Sequence, residues 1–103
     1  MVPDLSEISG LGDYTEKREE VVDGENTKSR TLYKKDDKAF LVVNSNTIEL
    51  RTDQKLAKLL EEKYESVMES RYFGRGGIEI VIAGNQLKSD ELADLIRLSY
   101  NLS

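Results

Sequence analysis

The densest grouping of side chains with chemical potential lies between Arg71 and Ile82, in the stretch RYFGRGGIEIVI. Arg71 and Arg75 supply positive charge, Tyr72 and Phe73 supply aromatic faces, and Gly74, Gly76 and Gly77 let a backbone approach closely. An arginine beside an aromatic ring can stack a nucleobase or anchor a peptide. Glycine amides can cradle a phosphate, but such loops run from a strand into a helix and carry a Lys followed by Ser or Thr. Here an alternating apolar run follows, and the Lys-Ser/Thr pair is missing. The dinucleotide spacing GxGxxG fails too, because Glu79 stands where the third glycine belongs. FGRGG therefore reads first as a turn between two strands, with glycine supplying positive φ. The second reading is a turn that also touches a ligand through Arg71, Phe73 and Arg75.

A second cationic segment carries Lys28, Arg30, Lys34, Lys35 and Lys38, with Asp36 and Asp37 set inside it. Lys34, Lys35 and Lys38 are its candidates for nucleic-acid contact, and a solvated hairpin is the competing reading. The carboxylates have structural explanations. Asp90, Glu91 and Asp94 open a helix, and Glu61, Glu62, Glu65 and Glu69 alternate with Lys58 and Lys63 as on a solvated face. Residues 23–28 lack the oxygen-ligand spacing of an EF-hand.

Cysteine and histidine are both absent from the 103 residues. That removes the thiolate nucleophile, the disulfide, and the side chain most used as acid, base and transition-metal ligand. The expectation is a protein without catalytic residues, metal or cofactor. Net charge is −5, with eight acids against two bases in residues 1–26 and five bases against two acids in residues 27–40. Overall acidity opposes broad attraction to nucleic acid or anionic membrane. No apolar run approaches the roughly 20 residues that span a bilayer, and the N-terminus lacks the blocks of a signal peptide, so a cytoplasmic location is expected.

The elements that would position these groups follow from hydrophobic period. PDLSEISGLG suggests a short helix with Leu5, Ile8 and Leu11 on one side. From Asp13 to Ser29 the chain is acidic and poor in large apolar groups, which reads as a loop or mobile segment. RTLYKKDDKAFLVV reads as two strands turning at Asp36-Asp37, NSN at 44–46 as a second turn, and TIELR as a third strand. Thr52 or Asp53 then caps a helix with Leu56, Leu59, Leu60 and Tyr64 at helical spacing. SVMESRYF reads as a strand, with ESVMES alternatively continuing the helix; IEIVIAG reads as a strand, and Ser89 caps a last helix striped by Leu92, Leu95, Ile96 and Tyr100. The expectation is one domain over 1–103, with an acidic segment 1–29 and a core 30–103. Its class is α+β: a two-layer sandwich of about five antiparallel strands with two helices on one face. With Leu32, Ile48, Leu50, Ile78, Ile80 and Ile82 toward the helices, Tyr33, Val81, Glu49, Arg51 and Glu79 would emerge on the other face. The N-terminal helix, through Leu5 and Ile8, or another subunit could cover that face.

Leu32 through Tyr100, about two thirds of the chain, resembles the MmcQ/YjbR-like family. The pieces that carry the resemblance are KKDDKAFLVV, IELRTDQKLAKLLEEKYESV and KSDELADLIRLSYNL. The chain is also similar to small uncharacterised archaeal proteins with a two-layer sandwich. The resemblance implies that fold, and DNA binding through a double-wing surface. Where many members of the family carry a basic segment with histidine and tryptophan, this chain reads FGRGGIE, with Arg75 as its basic group. Two functional expectations result. The first is a non-enzymatic binding or assembly module using a sheet face or edge for protein contact. The second is nucleic-acid binding through the two hairpins.

Overall fold

The computed structural model describes residues 3–103. Six strands form one antiparallel sheet in the order β1-β2-β3-β4-β6-β5. They are β1 (Thr15–Asp23), β2 (Asn26–Lys35), β3 (Lys38–Val43), β4 (Thr47–Arg51), β5 (Val67–Ser70) and β6 (Gly74–Val81). Helix α1 (Gln54–Lys63) links β4 to β5, and α2 (Ser89–Leu102) closes the chain. The α+β sandwich expected from the sequence is the observed class, with six strands in place of about five. Among the described residues no helix is long and apolar enough to cross a membrane.

Register explains the core. Opposed residues of antiparallel strands share a face, and the ladders set Leu41 opposite Leu50 and Leu50 opposite Ile78, with Ile48 opposite Ile80. These residues form the inner face, and each is at least 98% buried. Burying each such side chain contributes about 1.5–3 kcal/mol, so this block anchors the sheet. Helix α2 lies over β3 and β4, bringing Leu92, Ile96 and Tyr100 to the core, while α1 lies over β5 and β6 and brings Ala57. Leu59, read from the sequence as part of the α1 stripe, points outward and is 56% exposed.

Helix ends are set by carboxylates. Asp53 caps α1 by accepting from the Leu56 amide at 2.7 Å. Ser89 is the first residue of α2 and not its cap; the Glu91 carboxylate instead accepts from the Lys88 amide at 3.1 Å. Ser99 then locks α2 to the sheet. Its hydroxyl accepts from the Arg51 amide at 2.8 Å and donates to the Phe40 carbonyl.

Three further expectations are corrected. The stretch 13–29 is not a loop: Thr15–Asp23 forms β1, paired along its whole length with β2 through the two-residue turn Gly24–Glu25. Gly24 takes φ 62°, which suits a tight hairpin. Leu32 faces outward and Tyr33 inward, because Tyr33 stands opposite Leu41 and Leu32 opposite Val42. The Asp36-Asp37 turn, with φ of 49° and 68°, fixes that register, and Phe40 is the extra residue of a bulge that sends it to the core beside Leu41. Lastly, Leu5 and Ile8 do not cover the outer face. Leu5 lies in a single 3-10 turn, Leu5–Glu7, and both side chains join the core on the helix side. The segment is tied there by Arg97 donating to the Ser9 carbonyl and Tyr100 donating to the Asp13 carbonyl.

Candidate functional site

The outer face of the sheet holds two buried carboxylates. Glu49 on β4 and Glu79 on β6 stand directly opposite each other, and they are 2% and 1% exposed. Opposed positions bring side chains to within about 5 Å at Cβ, so the two carboxyl groups share one patch of the outer face. Each has its own set of donors. Glu79 accepts a forked pair of bonds from Arg71, at 3.0 and 2.7 Å, and one from the Thr47 hydroxyl at 2.7 Å. Glu49 accepts from the Ser70 hydroxyl at 2.9 Å, the Tyr72 amide at 2.8 Å and the Asn44 side-chain amide at 2.9 Å. Asn44 also donates to Thr47, which joins the two clusters. Burial pushes the Glu79 carboxyl up, but the Arg71 and Thr47 hydrogen bonds and the guanidinium charge outweigh it and hold the group below the usual carboxylate range.

The local backbone explains why these donors converge. Arg71, Tyr72 and Phe73 form the turn from β5 to β6, and Gly74, at φ 71°, starts the outgoing strand. The glycines 76 and 77 belong to β6 and not to the turn, so the turn lies earlier than the FGRGG spacing suggested. A side chain at Gly77 would meet the Leu50 carbonyl at 2.6 Å, so glycine there permits close strand contact. The turn folds over the outer face. The Arg30 guanidinium sits 5.3 Å from the Tyr72 ring centre, and Arg51 sits 4.8 Å from that of Phe73.

Opposite this turn stands an arm. Strand β2 pairs with β3 only from Thr31 onward, so Asn26–Arg30 have only β1 beside them and the hairpin tip projects past the sheet. Val21 and Val22 near that tip are 36% and 71% exposed. Between the arm, the 44–47 turn and Arg71–Tyr72 lies an open cleft of about 610 Å³. Glu49 is part of its floor; Lys28 and Arg30 line the arm side, and Ser45, Asn46 and Thr47 line one end. Among the described residues no group of three or more carboxylates is arranged to hold a metal ion.

The sequence-derived candidates are dispersed. Arg71 lines the cleft and grips Glu79. Phe73 is half-buried in the turn beneath Arg51, and Arg75 is exposed on β6. Lys35 donates to the Tyr100 carbonyl at 3.3 Å and sits over the Tyr100 ring. Lys34 is half-buried and Lys38 exposed, flanking the 36–37 turn. None of Phe73, Arg75, Lys34, Lys35 or Lys38 lines the cleft. Sequence reasoning placed Glu49 and Glu79 on the outer face but gave them no role. Their signal was a charge flanked on both sides by large apolar residues, Ile48-Glu49-Leu50 and Ile78-Glu79-Ile80, within strands whose other face is the core.

Comparison of the chain with protein-family models, with curated proteins and with solved structures finds no match.

Proposed function

We propose that this protein is a non-enzymatic binding module that takes a segment of a partner polypeptide into the cleft on the outer sheet face. The observation that carries this reading is the cleft itself, about 610 Å³ between a projecting arm and a rigid, hydrogen-bonded floor. Its lining suits a peptide. Exposed Val21 and Val22 offer apolar contact, and the side chains of Ser29, Ser45 and Asn46 offer donors and acceptors to a backbone. Both buried carboxylates are engaged by hydrogen bonds that hold them in place, which favours recognition over proton transfer.

Nucleic-acid contact through the hairpins is the second reading, drawn from the resemblance to the MmcQ/YjbR-like family. In its favour, the 36–37 turn and the start of β6 lie at the same end of the sheet, which gathers Lys38 and Arg75 there. Against it, Arg71 and Lys35 are occupied by contacts within the protein, and net charge is −5.

Panning a random-peptide phage library against the full chain tests the first reading. Selected phage should lose binding to Ser45→Trp, which fills the cleft from its exposed end, and keep it on Leu59→Glu on the opposite surface. Equal binding to both variants, or no selection, would contradict the cleft as the site.

A further inference from the structure

The sheet has two edges, and they are built differently. Edge strand β5 is short, four residues from Val67 to Ser70, and its register shifts at Glu69/Ser70, an irregularity that blunts further pairing. Edge strand β1 has nine residues, contains no proline, and keeps one register with β2 from Thr15 to Asp23. From Thr15 to Val22 its side chains are exposed, apart from a half-buried Glu19. Its outer half belongs to the arm, where β1 and β2 form a ribbon without a third strand, and a two-stranded ribbon alone is marginally stable in water. Asp23 and Asn26 close a two-residue turn, so the alternation of the ladder directs the N–H and C=O of Glu16, Arg18, Glu20 and Val22 to the open edge.

We propose that β1 is a self-association edge: a second copy of this chain pairs its own β1 antiparallel to it, about a two-fold axis at Glu19, and joins the two sheets into one. This goes beyond the cleft reading and uses the edge of the sheet, not its face. A two-fold axis normal to the sheet keeps each residue on its own face, so opposed residues differ by an even number along the strand. The register that overlaps all nine residues obeys this rule, with Glu19 at its centre. It sets Arg18 against the partner's Glu20 and Glu16 against the partner's Val22, each twice by symmetry. On the other face Lys17 lies opposite the partner's Val21, whose exposed surface its aliphatic stem covers. Glu19 meets the partner's Glu19, but each is ion-paired to Arg30 of its own chain, and a Lys17 lies diagonally across from it. A displacement by two residues sets Arg18 against Arg18 in one direction and Glu20 against Glu20 in the other, so charge selects the full overlap. Exposed ion pairs add little affinity; these fix the register while the backbone ladder holds the copies together.

Sedimentation of the full chain between about 1 µM and about 1 mM tests this, and the mass should rise from monomer toward dimer, as for a small, weak interface. Over the same range hydrogen exchange should slow at the amides of Glu16, Arg18, Glu20 and Val22, a pattern that needs no substitution. Arg18→Glu and Glu20→Arg should each weaken association by at least about tenfold. An equimolar mixture of the two variants should restore it, because every contact between positions 18 and 20 again joins opposite charges. A chain that stays monomeric to the top of the range would overturn the proposal. So would a dimer indifferent to both substitutions, or one that they weaken and mixing does not restore, since the contact would then lie elsewhere or in another register.

Discussion

Ser99 shows how much one hydroxyl can hold. It joins the Arg51 amide of β4 and the Phe40 carbonyl of β3 while itself completely buried. Ser99→Ala leaves both backbone groups without their partner, and we predict a loss of about 1–3 kcal/mol. Urea denaturation should show a lower midpoint with an unchanged slope; an unshifted midpoint would mean that the neighbouring strands re-pair. Arg71 acts on a different term. The Glu79 carboxyl is depressed below its ordinary value of 4.5, so its stabilising contribution is full above that value and is lost as pH falls through the lowered one. The Arg71 side chain is 77% exposed, which screens the pair. Arg71→Ala should therefore cost about 1–2 kcal/mol at neutral pH. The gap to the unaltered protein should close in acid, below the ordinary carboxyl value. A gap that stays constant with pH would contradict the pairing.

At the scale of elements, the turns set which side chains meet. Gly77→Ala forces a Cβ against the Leu50 carbonyl and Phe73, and should destabilise by about 1–3 kcal/mol in thermal unfolding. Asp37→Gly relieves a non-glycine residue at φ 68° in a turn that prefers Asp-Gly, and should stabilise by about 0.5–1 kcal/mol. An unchanged melting temperature would contradict the close strand contact at Gly77 in the first variant and the turn geometry at Asp37 in the second. The same elements show what the sequence could reveal. Ile48, Leu50, Ile78 and Ile80 announced their strands because one buried face imposes a period of two. Asp36-Asp37 announced its hairpin through residue type. Strand β1 was hidden because most of its length has no buried side: with β2 as its one strand neighbour, residues 15–22 contact solvent on both faces and so have no reason to alternate. Hidden with it was the arm, and therefore one wall of the cleft. The inward turn of Tyr33 was illegible for a related reason. It depends on a bulge at Phe40, and one extra residue reverses which side chains face the core.

Over the whole molecule the two sides divide the work. Helices, N-terminal segment and inner sheet face form the apolar core, while the outer face carries a polar network without a helix over it. An uncovered antiparallel face is ordinary; this one differs in carrying two buried, hydrogen-bonded carboxylates beside an overhanging arm. The central claim is that this face, and not the lysine hairpin, meets the partner. The most direct measurement is a side-by-side amide titration with a phage-selected peptide and with mixed-sequence oligonucleotides, at low and moderate salt. The account predicts peptide-induced shifts at Val21, Arg30, Asn44, Thr47 and Tyr72, and none of comparable size from oligonucleotides. Salt-sensitive oligonucleotide shifts at Lys34, Lys38 and Arg75, with no peptide response in the cleft, would contradict it.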